Sequence, residues 1–419
     1  MLESIKNAVW GMPTVLLLLV LGVYFSIKIK FWRFAVVKSI FRLPFDSEKS
    51  NGSGISSFAA AATALGGTVG IGSIFGVGIA IAVGGAGSIF WMWVCSFFGI
   101  GLKYAEIKIA FGEKGSIGLA GGGAHRRLSL LGYKRLATVF CIAALLASFT
   151  TGNITQIGAV SELIAAHGIS RGFVGSWCFI SVALAVFGGR RAIAGINSRL
   201  VPAACILYIG ACSAVLALNF RGIPKAISEI LSSALGLDSV LGGFSGAMLT
   251  RALREGFARS MFSNEAGMGS SPLAHATADT EDGETQARWG IFEIFFDTFV
   301  VSTLTALCLL TCREREISDV FGKSFGNIGV IGFLILSAVF ALASVISWCY
   351  YGECCIAYAF PNGRAAFYIY RALFALCAFF GVYISGESAF ALADICNALM
   401  TLPNLFLLIL CRNEIERIE

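Results

Sequence analysis

The sequence has few charged residues. Asp, Glu, Lys and Arg make up 13% of its 419 positions, whereas hydrophobic residues make up 57%. Soluble domains carry about 25% charged residues, so this shortage excludes one or two soluble domains and indicates a polytopic membrane protein. The net charge of +6 is spread over loops, which is typical of membrane topology and not of nucleic-acid binding.

Motifs for metal binding and catalysis are also absent. The 13 cysteines show no CxxC or Cys/His spacing for zinc, so we expect buried free thiols. No HExxH motif, Walker loop or paired catalytic carboxylate occurs, and the histidines are limited to His125, His167 and His275. The segment from Gly70 to Ser73 resembles the serine segment of an intramembrane protease, but no base is placed beside it. We therefore expect no enzymatic activity.

Long apolar runs, in contrast, are abundant. Ten of spanning length lie at roughly 9–29, 55–83, 87–111, 136–166, 172–188, 199–220, 288–311, 326–352, 366–383 and 386–411. A glycine-rich, partly apolar segment at 240–278 adds another crossing. The first run is followed by no small-residue cleavage site, so we expect it to be retained. The sequence predicts an all-α polytopic membrane protein with about 11 transmembrane helices.

Basic residues are concentrated in alternate loops. The loops at 28–49, 114–135 and 189–199 are rich in Lys and Arg, whereas the intervening loops are short or poorly charged. By the positive-inside rule the N-terminus is outside and the C-terminus cytoplasmic. The acidic segment from Asp279 to Glu284 fits this less well, but acidic residues have little weight in the rule.

The segment from Ala64 to Ser73 interrupts one apolar run with glycines, which are poor helix formers. Two interpretations compete. The GxxxG spacings Gly66/Gly70 and Gly72/Gly76 would suit a tight helix–helix seam. Alternatively, the helix breaks at mid-membrane and its free backbone groups bind a solute and a cation.

A second interrupted segment, Gly256 to Ser270, opens the second half of the chain. Paired broken helices at matching positions indicate a transporter with inverted repeats, and a packing seam has no reason to recur there. We divide the chain into an extra N-terminal helix with its basic loop (1–50) and two five-helix repeats (51–221 and 222–419). Together these form one transporter domain.

Polar residues of the second segment are candidates for binding. Phe262, Ser263 and Asn264 offer an aromatic wall with hydroxyl and amide groups, which suits a small, partly apolar ligand. Arg259 and Glu265 can pair with each other or with neighbours, which is a structural role.

Three further candidates lie in other spans. Gln156 either contacts the ligand or links two helices by a hydrogen bond. Ser344 and Trp348 share one helix face, and the Ser344 hydroxyl either bonds its own backbone or serves as an oxygen ligand for Na+.

Several stretches together resemble the alanine or glycine:cation symporter family, a branch of the transporters with the LeuT-type fold. The run from Ser263 to Ser270, SNEAGMGS, is specific on its own. The matching stretches span nearly the whole chain and lie at 84–94, 103–106, 259–272, 297–298, 348–353 and 400–404.

The resemblance implies a secondary active symporter of a prokaryotic cell (inner) membrane. It implies uptake of a small neutral amino acid, alanine or glycine, with Na+ by alternating access and no organic cofactor. The substrate carboxylate would lie near the backbone of Gly70 and Gly72, its side chain against Phe262 and Trp348, and Gln156 close by.

The resemblance also implies one sodium between the carbonyls of Gly66 and Val69 and the hydroxyl of Ser344. Ser73, a further candidate substrate contact, stands where the family usually has asparagine, and Ala343 stands where it has a hydroxyl residue. Both changes remove oxygen ligands that the wider fold uses for cations.

Two other functions stay open. A proton-coupled or uncoupled carrier of the same fold needs a buried carboxylate that changes protonation, such as Glu106 or Glu265. A membrane sensor would bind the amino acid without moving it, but no soluble signalling domain is evident. Besides amino acid and lipid bilayer the residues indicate no partner, and the oligomeric state is not predicted.

Overall fold

The apolar segments fold as helices, because a backbone inside a bilayer has to satisfy its hydrogen bonds internally. The computed structural model describes residues 12–44, 55–111, 122–236, 245–280, 283–384 and 386–418. The α-helices of these residues are α1 (Met12–Ile29), α2 (Phe34–Arg42), α3 (Ser57–Thr68), α4 (Ile71–Gly84), α5 (Gly87–Phe111), α6 (Ala124–Leu130), α7 (Lys134–Phe149), α8 (Thr155–Ala165), α9 (Arg171–Phe187), α10 (Gly189–Leu218), α11 (Ile223–Leu235), α12 (Ser245–Asn264), α13 (Ser271–His275), α14 (Gly283–Ile294), α15 (Thr303–Cys312), α16 (Ile317–Ala359), α17 (Arg364–Gly381) and α18 (Gly386–Leu410).

Two π-helical segments join consecutive α-helices. Thr150–Ile154 continues α7 into α8, and Phe295–Ser302 continues α14 into α15. The hydrogen bonds of a π-helix are spaced by five residues, which bulges the helix and is common at functional sites. Both segments lie in predicted spans.

The predicted all-α membrane fold is confirmed. Within the described residues, eight helical segments are long and apolar enough to cross a membrane, and two shorter apolar helices cover Pro13–Ile29 and Arg171–Phe187. Large apolar side chains lie exposed on these helices, such as Leu184 (77% exposed) and Ile328 (82% exposed). Exposure of this kind suits contact with lipid. The count of eleven spans and the repeat boundaries stay predictions.

Parts of some predicted features lie outside the described residues. They are residues 9–11 of the first run, 45–49 and 114–121 of the basic loops, 240–244 of the glycine-rich segment 240–278, and 281–282 of the acidic segment.

The first interrupted run breaks where its glycines predicted. α3 ends at Thr68 and α4 begins at Ile71, while Val69 (φ −77°, ψ 89°) and Gly70 (φ −143°, ψ −145°) have non-helical backbone angles. A Cβ on Gly70 would lie 3.0 Å from Gln156 Oε1, so the absent side chain lets a neighbouring span approach the break closely. The seam interpretation does not account for this break.

The second interrupted segment also breaks. α12 ends at Asn264, and the loop before α13 contains three residues with left-handed backbone: Glu265 (φ 54°), Gly267 (φ 84°) and Gly269 (φ 79°). Glycine adopts this conformation without the Cβ penalty, whereas glutamate is strained in it.

The four half-helices lie against one another in the molecule. α12 packs on α4 and α13 packs on α3, while α14, α10 and α16 pack around α3. The extra helix α1 packs on α5, with Phe25 and Ile29 fully buried. The two breaks therefore lie side by side in the interior of the bundle.

The cysteines are structural residues of this interior. All thirteen lie in the described ranges and are free, and all except the half-buried Cys377 are buried. The expectation of buried free thiols is confirmed.

Candidate functional site

The first break exposes the backbone start of α4. Gly70 is its N-cap residue, and no side chain caps this helix start. The first N–H groups of a helix have no partner inside the helix and lie at the positive end of its dipole. The break therefore offers donors and positive potential to a carboxylate.

A cluster of side-chain oxygens lies beside this helix start. The hydroxyls of Ser73 and Ser263 lie 2.9 Å apart, and Ser263 donates to Asp297 Oδ2 at 2.7 Å. Ser73 donates to Asp297 Oδ1 and lies 3.5 Å from the carbonyl oxygen of Thr68. Ser73, Ser263 and Asp297 are fully buried. These are hard oxygen ligands of the kind that alkali and alkaline-earth cations prefer.

Asp297 comes from the π-helical segment Phe295–Ser302. Thr298 Oγ1 lies 3.2 Å from its Oδ2, so the carboxylate is held by three hydroxyl groups. Asp297 belongs to a stretch that carries the family resemblance, but it was not among the predicted site residues. The available signal was the presence of two acidic residues, Glu293 and Asp297, inside the apolar run 288–311, because a charge in a membrane span is costly and marks a functional site.

A second group of oxygens lies where α3 ends. The Ser344 hydroxyl, from α16, donates to the carbonyl of Gly67 at 3.4 Å. Ser344 was predicted to lie near the carbonyls of Gly66 and Val69. These two residues stand on either side of Gly67 in the sequence. Added Cβ atoms show how close the elements are: one on Gly70 would lie 3.3 Å from Ser344 Oγ, and one on Gly66 would lie 2.9 Å from Ser347 Oγ.

Two of the predicted aromatic residues, Phe262 and Trp348, each pack on a glycine. A Cβ on Gly72 would lie 3.1 Å from Phe262 Cδ1, and the Phe262 ring lies 5.5 Å from Phe390. Trp348 packs on Gly152, where a Cβ would lie 2.0 Å from Trp348 Cβ. Its ring is 1% exposed, and its Nε1 has no hydrogen-bond partner among the described residues.

Gln156 lies at the first break, where the resemblance implied it would lie. Its Oε1 is the nearest atom to the position of a Cβ on Gly70, and its Nε2 donates to the Thr151 carbonyl at 3.3 Å. The structure thus brings Gln156 and Ser344 to Gly70, and Phe262 to Gly72. Trp348 lies one helical turn after Ser344 on α16 and contacts Gly152, one turn before Gln156.

Asn264 is engaged by the protein itself. Its Nδ2 donates to Ser96 Oγ at 2.9 Å and to Ser260 Oγ at 3.1 Å, and its Oδ1 accepts from Ala266 N at 3.1 Å. These bonds hold the second break in shape. The predicted contact of Asn264 with substrate stays a prediction.

Comparison with known proteins identifies the family. A family model described as "Sodium:alanine symporter family" matches residues 1–418. The chain belongs to this family. The "Sodium/alanine symporter AgcS" of Methanococcus maripaludis is 34% identical over 433 residues, which cover 98% of this chain and 94% of that protein. The "Probable sodium/glutamine symporter GlnT" of Bacillus subtilis is 31% identical over 97% of this chain and 86% of that protein.

A solved structure supports the fold. MhsT in complex with L-phenylalanine matches with a TM-score of 0.62 and 16% identity, over 87% of this chain and 89% of that chain. The LeuT-type fold implied by the resemblance is therefore confirmed. Family and fold make the chain a cation-coupled amino-acid symporter of a prokaryotic membrane, and not an enzyme.

Proposed function

We propose that this symporter takes up a small neutral amino acid, alanine or glycine, together with Na+ by alternating access. The observation that carries the proposal is the uncapped start of α4 beside the Ser73, Ser263 and Asp297 oxygens. A zwitterionic amino acid would place its carboxylate at the start of α4, and Na+ would bind the neighbouring oxygens.

The substrate carboxylate would accept from backbone N–H groups near Gly70 and Gly72, at the positive end of α4. Phe262 and Trp348 would contact the side chain. Gly152 and Gly72 pack directly against these aromatic residues, so a short side chain fits this arrangement better than a long one.

Two cation positions follow from the oxygen groups. One has Ser73, Ser263 and Asp297, which we call the carboxylate site. The other has the Ser344 hydroxyl and the carbonyls of Gly66 and Val69, as expected from the resemblance. The carboxylate at Asp297 supplies a full negative charge, which offsets the removal of the asparagine at position 73.

Na+ provides the driving force in this proposal. Moving one net positive charge inward gains about 2.3 kcal/mol per 100 mV of membrane potential. At about 1.4 kcal/mol for each factor of ten, this corresponds to a roughly fifty-fold accumulation of substrate. We also propose that the N-terminus is outside and the C-terminus cytoplasmic, because the basic loops then face the cytoplasm.

Uptake measurements test the proposal. Radiolabelled alanine and glycine are followed in proteoliposomes under an imposed Na+ gradient, an imposed H+ gradient, and neither. We expect accumulation only with the Na+ gradient. Accumulation driven by H+ alone would instead favour the proton-coupled carrier, and binding without uptake would favour the sensor. A competition series from glycine to glutamine then measures how affinity falls with side-chain size.

A further inference from the structure

The short helix α2 follows directly on the first predicted span. α1 ends at Ile29, and four residues, 30–33, lead to the start of α2. The chain turns at Lys30, whose backbone is left-handed (φ 52°). Tyr24 and Ile27, in the last turns of α1, are exposed, and exposed large side chains on a span face lipid. α2 therefore begins at the lipid-facing edge of the protein.

The depth of α2 follows from its contacts with α14. The Phe41 ring lies 4.8 Å from the Phe295 ring and 6.4 Å from the Phe292 ring. These two phenylalanines lie about one to two helical turns inside the predicted span 288–311. Arg288, at the start of that span, donates from Nη1 to Ser39 Oγ at 3.3 Å. α2 thus lies at the level of the lipid headgroups, and not in the water beyond them.

The two faces of α2 differ in chemistry. Val36 and Ile40 are buried in the core of the molecule. Lys38 and Arg42 stand two positions later, about 200° around the helix, and both are exposed. They are neighbours on one face because they are four positions apart. Since the other face is fixed to the protein, the basic face is directed outwards.

The exposed cations of this region have no counter-charge in the protein. Within the described ranges, no carboxylate pairs with Lys30, Lys38 or Arg42. Two like charges four positions apart destabilise a helix, so an anion beside them would offset this repulsion. The basic side chains nearby differ in this respect, because they have protein partners: Lys28 donates to the Arg412 carbonyl, Arg33 donates to the Ile418 carbonyl, and Lys108 and Arg288 pair with Glu284.

Two further observations indicate a lipid as the source of the anion. Trp32, in the turn before α2, is exposed, and tryptophan is enriched where a protein surface meets the headgroups. The segment 28–49 contains six basic and two acidic residues, so it attracts an anionic membrane surface.

We propose that Lys30, Lys38 and Arg42 form a binding site for the headgroup phosphate of an anionic phospholipid, which we call the α2 lipid site. The guanidinium of Arg42 can donate two parallel hydrogen bonds to phosphate oxygens, and the two lysines add positive charge. A phosphatidylcholine headgroup also has a phosphate, but its choline cation is repelled by the same side chains. The site therefore prefers a lipid with net negative charge.

Photo-cross-linking of the wild-type, full-length protein tests the position of the site. Phosphatidylglycerol and phosphatidylcholine with the same photoreactive acyl chain are compared in detergent micelles, and the cross-linked peptides are identified by mass spectrometry. We expect phosphatidylglycerol to label residues 24–44 at least threefold more than phosphatidylcholine does. Equal labelling by the two lipids would overturn the proposal and favour an acidic protein segment as the partner of this face.

Paired variants test the basic side chains. Each basic residue near an anionic lipid surface strengthens binding roughly fivefold, so Lys38→Gln/Arg42→Gln should weaken phosphatidylglycerol binding by about tenfold or more. Titration of the lipid followed by native mass spectrometry measures this. Lys134→Gln/Arg135→Gln is the matched control, because it removes two exposed cations from another basic loop, at the start of α7. We expect the control to keep the wild-type affinity.

Equal losses in the two double variants would show a general effect of charge and contradict the α2 lipid site. If Lys38→Gln/Arg42→Gln does not fold, cross-linking of the wild type still decides the question. The site does not depend on the proposed function. Failure of Na+-driven uptake would leave the lipid preference unchanged, and failure of the lipid preference would leave the proposed transport unchanged.

Discussion

Asp297 is the residue on which the carboxylate site depends. Its carboxylate accepts hydrogen bonds from Ser73 and Ser263, whose hydroxyls orient it. A carboxylate attracts a cation before the amino acid arrives, whereas neutral oxygens depend on the substrate carboxylate to complete the charge. This difference gives Asp297 a measurable role.

We expect Asp297→Asn to raise the Na+ concentration for half-maximal alanine uptake by roughly tenfold or more, since loss of a charged ligand costs about 1.5–3 kcal/mol. Uptake at varied Na+ in proteoliposomes measures this. Asp319→Asn, which changes an exposed carboxylate of α16, is the control and should keep the wild-type value. An unchanged Na+ dependence in Asp297→Asn would remove Asp297 from the cation site.

Gly152 is the residue that lets Trp348 enter the site. An alanine there would place its Cβ 2.0 Å from Trp348 Cβ and 2.2 Å from Cγ. The position of Trp348 Cβ is fixed by the helix backbone, so rotation of the side chain cannot relieve this contact. We expect Gly152→Ala to lower stability by about 1–3 kcal/mol through overpacking and to reduce uptake. Thermal unfolding in detergent measures the first effect.

Gly195→Ala is the matched control, because this α10 glycine has no atom within 4 Å of an added Cβ. Alanine is the better helix former, so this variant should be as stable as the wild type or slightly more stable. Equal unfolding temperatures for both variants would mean that Trp348 does not depend on Gly152.

At the scale of the elements, the two helix breaks have different physical causes. The first uses an extended glycine, Gly70, beside a neighbouring span. The second uses left-handed backbone at three positions, Glu265, Gly267 and Gly269. Glycine runs predicted both breaks, but the strained Glu265 could not be predicted, since its conformation follows from contacts of the whole loop.

Gly269→Ala should disrupt the second break. Its φ of 79° disfavours a side chain, and a Cβ would also lie 2.9 Å from Asn404 and Phe140. Gly168→Ala has a similar φ of 85° but no atom within 4 Å, so it isolates the backbone cost of about 1–2 kcal/mol. We expect uptake to be lost only in Gly269→Ala, and similar losses in both would contradict a role for packing here.

Two adjacent residues predicted as ligands at the second break have different partners in the structure. Ser263 joins Asp297, whereas its neighbour Asn264 bonds to Ser96 and Ser260. Adjacent positions on a helix point about 100° apart, so only the packing of α12 against α4 and α5 determined which residue faces the site. The sequence could therefore suggest both Ser263 and Asn264 as ligands, but it could not show which of them faces the site.

At the scale of the whole molecule, the basic segments collect at one end. Lys28 donates to the Arg412 carbonyl at 2.6 Å, Arg33 donates to the Ile418 carbonyl at 3.2 Å, and Arg127 pairs with Glu414 at 2.7 Å. The C-terminal residues thus lie against the basic loops, and the positive-inside rule assigns both to the cytoplasm.

This orientation predicts the accessibility of a C-terminal tag. A protease added outside intact cells should leave the tag uncut, and cleavage should follow permeabilisation of the membrane. An exposed tag at the N-terminus should be cut in both conditions. Cleavage of the C-terminal tag in intact cells would reverse the proposed orientation, while the bundle itself would be unaffected.

The sequence by itself determined that this is an all-helical membrane transporter with two broken helices. Hydrophobic runs show which segments are long enough to cross a bilayer, where the backbone has to be helical, and the glycine positions show where these helices break. The SNEAGMGS run identified the family. Only the tertiary structure decided that Asp297 meets Ser73 and Ser263. Ser73 and Asp297 lie more than two hundred positions apart in the chain, and only the packing of the helices brings the buried carboxylate to these hydroxyls.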